Sequence, residues 1–433
     1  MLLVVALGSL GFAGIATVVA DRDQQHRAEL TVGAPTVLSI DRTTRTQLLR
    51  ATRAADPEGR YAMAAVPIPA VTAHLPASLA VDSTRLAAVA YWRAGYSPEP
   101  LPALAARLRP AAGPSLTITG ATVHVDLTAA DLAGKPATLT ALVAPAGGVP
   151  RAQVDFGALS LGRHTYTAPS PACTAGCRLV SLQIGLPTHL GAPARLTLHT
   201  IQGQPFTAEW RMPSGASASA VGDGLSITLP PSPRREAGSL LPPDVPAALP
   251  LVSTGPLPPD GAYASFDGPA GATVVGHADV LPRLGARGSL VDLEVADRAA
   301  TDSELTNLGE VWLARDAPAS IAEALTAAGL SIVGRRTVAD ERAVLSRAGS
   351  ALALRFFLLA GALSVLLGAA GLAVTTLTAP RDELAPLRIQ GLPARVNRRV
   401  EWWSPASLVI VALPLGAVCA AVAWLLLGAA VPL

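Results

Sequence analysis

The most reactive side chains in this sequence are Cys173 and Cys177, set in Pro-Ala-Cys-Thr-Ala-Gly-Cys. Two thiols with three residues between them, in a turn-rich stretch, suit a local disulfide in an oxidising compartment. The competing chemistry is half of a metal site. No second cysteine pair and no close histidine pair completes it, so no metal is expected. Cys419 lies in an apolar run and reads as a small packing residue. None of the seven histidines has a ligand partner at short spacing. His124 and His199 fall on expected polar faces of strands and read as solvated or structurally bonded. The carboxylate pairs Asp21/Asp23 and Glu304/Glu310 have the groups for acid–base work but read as surface charges. A nucleotide-binding P-loop needs a lysine after its glycine-rich turn. The sole lysine, Lys135, follows Gly134 but precedes Pro136, and position 129 is alanine. Neither Gly-x-Ser-x-Gly nor His-Glu-x-x-His occurs. No catalytic residue and no cofactor is therefore expected.

The elements that carry these residues follow from composition and periodicity. The chain has 433 residues, 50% apolar and only 15% charged, with 33 basic and 31 acidic side chains. Its mean hydropathy is +0.42. Soluble domains carry about 25% charge, so the composition points to a membrane protein with a large domain outside the bilayer. A net charge of +2 gives no field for nucleic acid. Residues 1–20 are uncharged and long enough for one span. A cleaved signal peptide is the alternative, but no basic region precedes the run. Residues 351–379 form the second span, with Arg355 placed to snorkel at its outer end. Residues 404–433 form the third, with Pro405 suited to a helix start and Pro414 to a kink. Between the last two spans, residues 381–403 hold Arg381, Arg388, Arg395, Arg398 and Arg399 against three acids. The positive-inside rule puts this loop in the cytoplasm and the long segment outside the plasma membrane.

The outer segment reads as composite. Strand-like Thr31–Ile40, a helix Thr44–Ala55, strand-like Tyr61–Ile68 and a helix at Pro98–Leu108 give mixed α/β over 21–112. From 113 to 230 the pattern alternates, as in Leu116–Leu127 and again at 137–143, 178–184, 195–201 and 206–212. This predicts an inserted antiparallel β-sandwich. Residues 231–350 open with a proline-rich linker or extended crossing strand at 229–260 and return to α/β. Strands are expected at Ser289–Val295, Glu310–Ala314 and Leu330–Val333. A helix over Ala319–Ala328 is expected to be capped by Asp316. A helix over Thr337–Ser350 should lead straight into the second span. The expected fold class is thus a membrane protein with α-helical spans and a large extracytoplasmic α+β domain carrying a β-sandwich.

Gly361, Ser364, Gly368 and Gly371 recur at steps of three and four along the second span and form one small-residue face for close helix packing. Ser9 and Ala13, and Gly416 and Ala420, repeat the spacing in the other spans. The loop reads Arg381-Asp382-Glu383-Leu384-Ala385-Pro386-Leu387-Arg388-Ile389-Gln390-Gly391. On its charge alone it would fix topology and touch anionic headgroups of membrane lipid.

The order span, outer domain, span, basic loop, span resembles the FtsX-like (MacB-type) permease family of ABC transporters, in its actinobacterial form. So do the loop pattern Arg-x-Glu-Leu-Ala-x-Leu-Arg-x-x-Gly, the stretch Ala54–Met63 and the small-residue second span. The resemblance implies a non-catalytic permease subunit. Glu383, Leu387, Arg388 and Gly391 would touch a cytoplasmic ABC ATPase, and the outer domain would transmit motion for export or signalling. It also implies a second permease copy or another permease half. Units of this family have four spans and this sequence shows three, so the fourth is expected from elsewhere or from a longer chain. The other class of function is a membrane-anchored module whose sandwich binds glycan or protein.

Overall fold

The computed structural model describes residues 2–70, 74–111, 113, 115–132, 134, 136–146, 150–185, 193–207, 209–212, 217–230, 237–259, 261–378 and 394–427. The chain divides into two compact units, Met1–Ala28 with Val338–Leu433, and Glu29–Thr337.

Helix α1 (Leu2–Val32) is 31 residues long and outruns the expected span. Its second half, beginning at Asp21, is polar but made of good helix formers, with an i,i+4 pair between Asp23 and Arg27 at 2.6 Å. The expected strand from Thr31 therefore shortens to β1 (Thr36–Ile40).

The unit Glu29–Thr337 then adds β2 (Thr43–Thr44), α2 (Arg45–Ala55), β3 (Ala62–Ile68), β4 (Ser78–Val81), α3 (Leu86–Val89) and α4 (Leu101–Arg107). Thr44 Oγ1 accepts the Gln47 N–H and caps α2. An all-antiparallel region follows. One sheet holds β5 (Thr117–Ile118), β7 (Thr138–Pro145), β8 (Ala152–Ala158), β10 (Cys177–Gly185) and β15 (Ala237–Leu240). The other holds β6 (Thr122–Asp131), β9 (Gly162–Pro169), β11 (Ala194–Ile201), β12 (Gln204–Pro205), β13 (Ser217–Val221) and β14 (Gly224–Leu229). In β6 the buried positions alternate, and they join residues of both sheets in one core that includes Val125, Leu127, Leu182 and Leu198. Among the described residues of the strand expected at 206–212, only Arg211 is paired, in a single bridge to Leu241. Phe206 and Trp210 pack there with their rings tilted 57° to each other, centroids 4.7 Å apart, and belong to the sandwich core.

The proline-rich stretch supplies strands to two sheets, β15 to the sandwich and β16 (Leu249–Ser253) to a nine-stranded mixed sheet. That sheet is completed by β17 (Ala262–Ser265), β18 (Gly268–His277), β19 (Ser289–Asp292), β21 (Glu310–Leu313) and β22 (Ile332–Thr337), while β20 (Leu305–Thr306) pairs with β2. Its order is β17-β18-β16-β19-β4-β3-β21-β1-β22. Strands from before and after the sandwich thus interleave. The strand expected over Ser289–Val295 stops at Asp292, whose carboxylate accepts the Val295 N–H and starts α5 (Leu293–Ala299). Helix α6 (Ser320–Ala327) begins after Ala319 with no side-chain cap, so Asp316 does not have the capping role expected of it. On one face of the sheet Ala62, Ala64, Val66, Val311 and Leu313 pack with Leu48 and Leu49 of α2 and Ile321 and Leu325 of α6. Met63 and Trp312 occupy the alternate positions and so point to the opposite face.

The helical unit contains the first part of α1 with α7 (Val338–Leu345), α8 (Gly349–Thr378) and α9 (Ala394–Leu427). Among the described residues three stretches are long and apolar enough to cross a membrane: Leu3–Val32, Gly349–Val374 and Ala406–Leu426. The expected continuous helix into the second span is broken at Ser346–Ala348. There the Ser346 hydroxyl donates to the Ala343 carbonyl, and Arg347 N–H bonds the third residue back. Pro405 lies inside α9, which already starts at Ala394. Phe356, Phe357, Leu366 and Leu367 on α8 and Leu425 and Leu426 on α9 are exposed.

Candidate functional site

The unit Glu29–Thr337 begins at the end of α1 and ends at β22, and these two ends lie side by side. β1 and β22 pair antiparallel, with Thr36 opposite Thr337 and Val37 opposite Arg336. β1 also pairs with β21, which places Trp312 opposite Val37. Everything that enters or leaves the unit therefore passes through one pair of hydrogen-bonded strands.

The residues around this root are tightly fixed. Gly33 ends α1 in the left-handed region, φ +88, and its N–H bonds the Glu29 carbonyl at 2.8 Å. A Cβ at Gly33 would lie 2.5 Å from the ring of Trp312. Trp312 is fully buried and donates its indole N–H to Glu310 Oε2 at 2.8 Å. The other oxygen of Glu310 accepts from Arg283 at 3.0 Å and Arg336 at 2.8 Å. Arg283 also donates its backbone N–H to the Leu30 carbonyl, 2.8 Å, and itself has φ +72. Arg93 grips Glu29 with a two-nitrogen contact to one oxygen. The last turn of α1, β21, β22 and the loop at Arg283 are thus joined through one buried carboxylate and one indole.

A second set of charges ties the sandwich to the helices over the mixed sheet. Arg151, at the start of β8, is 1% exposed by side chain and reaches α5. It donates to the backbone carbonyls of Asp297 (2.7 Å) and Ala300 (2.8 Å) at the C-terminal end of α5. It also pairs with Glu304 at 2.6 Å. Arg45 bonds Asp297 at 2.6 Å and Asp302 through two nitrogens, and its guanidinium stacks 4.0 Å over Phe266. Burial works against the charge of Arg45, but its bonds and attraction to Asp302 and Asp297 raise its pKa above the ordinary value. Burial pushes the Glu304 carboxyl up, with Asp297 adding to the rise and Arg151 opposing it. Glu304 holds φ +61, a left-handed conformation rare for its type.

Next to this lies a third group. Asp82 accepts Arg53 (2.8 Å) and Thr84 (2.6 Å) and lies 3.4 Å from Arg85. Burial would raise its pKa, but Arg53, Thr84 and Arg85 hold it below the ordinary carboxylate value. Asp292 lies on the same side, pushed up by burial despite its bond to Ser83.

The residues singled out from sequence fall in several places. Cys173 and Cys177 form a disulfide, Cα atoms 4.8 Å apart, at the edge of the sandwich core. Among the small residues of α8, Gly361 and Gly368 face α1. A Cβ on Gly361 would lie 3.1 Å from Leu10 Cα, and one on Gly368 would lie 3.4 Å from Leu3 Cδ1. Gly371 meets nothing within 4 Å, and Ser364 bonds the Ala360 carbonyl of its own helix. The close approach of α9 to α1 uses Gly8, Gly11 and Gly416, where a Cβ on Gly416 would lie 2.7 Å from Leu7 Cβ. Glu383, Leu387, Arg388 and Gly391 lie outside the described residues. Glu304 and Glu310, read as surface charges, are both buried, one in each network. Asp21 and Asp23 do pair on the surface, with Arg342 and Arg27. His199 is buried 2.9 Å from Thr128 Oγ1, and His124 bonds Thr167. Among the described residues no group of three or more His, Cys, Asp or Glu is arranged to hold a metal ion.

The root cluster of Gly33, Arg283, Glu310 and Trp312 escaped sequence reasoning. One signal was present: a glycine directly after a long helical run marks a helix end. No protein-family model matches the chain, and no curated protein or solved structure shows significant similarity to it.

Proposed function

We propose that this chain is the permease subunit of an ABC transporter of the FtsX-like type, set in the plasma membrane with the unit Glu29–Thr337 outside. The observation that carries the reading is the joining of both ends of that unit at one rigid root. Force arriving along α1 would enter the mixed sheet through β1, and the neighbouring β22 would return it to the helical unit. Such an arrangement suits a transmitter of motion better than an enzyme cleft. Three apolar helices with glycine-mediated contacts and exposed apolar flanks supply a membrane part. The arginine excess of 381–403 supports a cytoplasmic loop, where Glu383, Leu387, Arg388 and Gly391 would meet an ATPase that supplies the energy. The work done would be export, or signalling to a partner outside the cell.

Affinity capture of the full-length protein from its native membrane, followed by mass spectrometry, tests this. A stoichiometric P-loop ATPase is expected, and Glu383→Ala with Arg388→Ala should release it. Reproducible capture of the intact protein without an ATPase would sink the proposal and turn attention to glycan or protein binding by the sandwich.

A further inference from the structure

Where β16 ends and β19 and β4 begin, the mixed sheet borders a pocket of about 470 Å³. That volume falls within the usual range for small ligands, about 300–1,000 Å³. Pro76, Leu257 and Pro258 give it an apolar wall. Their rings fix the φ angles of the prolines, so this wall is formed before anything binds. Arg287 and His74 also line the pocket, and both are exposed. Neither side chain has a hydrogen-bond or ion-pair partner among the described residues. No Asp or Glu occurs among the described residues of the lining. Arg287 stands on a fixed loop. The next residue, Gly288, donates its N–H to Thr254 Oγ1 at 2.9 Å and accepts the Thr254 N–H at 3.1 Å. A Cβ on Gly288 would lie 2.6 Å from Leu284 Cδ1. The sheet end below has hydroxyls to spare. Ser253 lines the pocket, Ser289 stands opposite Ser253, and Ser78 stands opposite Ser289, all on one face. The hydroxyls of Ser289 and Ser78 are fully buried and have no hydrogen-bond partner. The pocket thus combines unspent donors and a cation with no acid of its own.

We propose that this pocket binds a small carboxylate with an apolar body. Arg287 and His74 hold the carboxylate, and Leu257 and the prolines take the body. An ionised carboxylate only accepts hydrogen bonds, which suits a site whose donors are unspent. A planar guanidinium meets it with two parallel N–H bonds. One guanidinium balances one negative charge, which favours a carboxylate over a doubly charged phosphate. The inference goes beyond the transport proposal and does not depend on it, because carboxylate binding is scored whether or not an ATPase copurifies.

The test is a ligand-observed NMR titration of the full-length protein in lipid nanodiscs, with empty nanodiscs as the blank. Hexanoate is the probe. Hexanol lacks its charge, and acetate lacks its body. Saturable hexanoate binding that weakens with added salt is expected. Hexanol and acetate should each bind at least about tenfold more weakly. Arg287→Gln should weaken hexanoate binding by about tenfold, the loss of one charge-assisted hydrogen bond. The side chain it removes is exposed and makes no bond, so the variant should keep the parent's unfolding midpoint. Arg60→Gln should bind hexanoate as the parent does. Arg60 precedes the first residue of β3, whereas Ile68 at the other end of that strand pairs with Ser78 beside the pocket. No saturable hexanoate binding, equal binding of hexanol or acetate, or binding kept in full by the Arg287→Gln protein would overturn the assignment.

Discussion

Gly33 sits where a methyl group has no room. Its φ of +88 alone costs an L-residue about 1–2 kcal/mol. The ring of Trp312, 2.5 Å from the missing Cβ, adds a clash that only movement of the helix end can relieve. Gly33→Ala should therefore lower the unfolding midpoint, whereas Gly95→Ala, also at positive φ but with open space, should lower it less. Arg151 makes a different kind of claim. Replacing it with Gln leaves Glu304 and the end of α5 without their cation, a loss of about 3–5 kcal/mol for a broken buried pair. Denaturant unfolding of the two variants checks both expectations. The acids also set a pH dependence. Asp82 has its pKa depressed in the fold, so its contribution is present above the unfolded value, about pH 4, and is lost as pH falls through the folded one. Glu304 and Asp292, pushed up, act in the opposite sense and make the acid loss shallower. A melting series between about pH 6 and 3 should show the loss, reduced in Arg53→Gln. The disulfide was legible at this scale because its chemistry is local. The buried charges were not, because a glutamate in a charged stretch looks the same on a surface as under a sheet. Only the tertiary position of Arg151, Arg283 and Arg336 decides between the two.

At the scale of elements, the sequence announced what is periodic and concealed what is capped. The alternation in β6 and the apolar runs of α8 and α9 were readable because burial repeats at a fixed step. The end of β19 was not, since Asp292 turns a run of strand-like residues into the first turn of α5 through one hydrogen bond. The length of α1 was missed for the opposite reason. Hydropathy marks where an apolar span ends, while helicity continues through Asp21–Thr31. Two tests belong here. Gly361→Leu should disturb the helical unit, because Leu10 Cα stands 3.1 Å from the new Cβ, and Gly371→Leu should be tolerated. Thermal stability in detergent separates them. Removing Cys173 and Cys177 together as Ala should cost about 2 kcal/mol, the loop-closure value for so short a ring. Denaturation with and without reductant measures it.

At the scale of the molecule, the unit Glu29–Thr337 interleaves strands from both sides of the sandwich, an arrangement that composition shifts suggested but could not specify strand by strand. The sandwich is not a bead on a string, since Arg151, Arg45 and the carboxylates between them clamp it to α2 and α5. Limited proteolysis of the intact protein should leave the sandwich attached, and Arg151→Gln should open cleavage near residues 146–151. The pairing of Thr36 with Thr337 reaches further than mechanics. A polypeptide that departs and comes home at one ladder of hydrogen bonds has made a cassette of everything in between. Recombination could exchange that cassette for any other whose ends are neighbours, without rerouting the flanking helices, so lineages sharing this anchor need share nothing of what hangs from it.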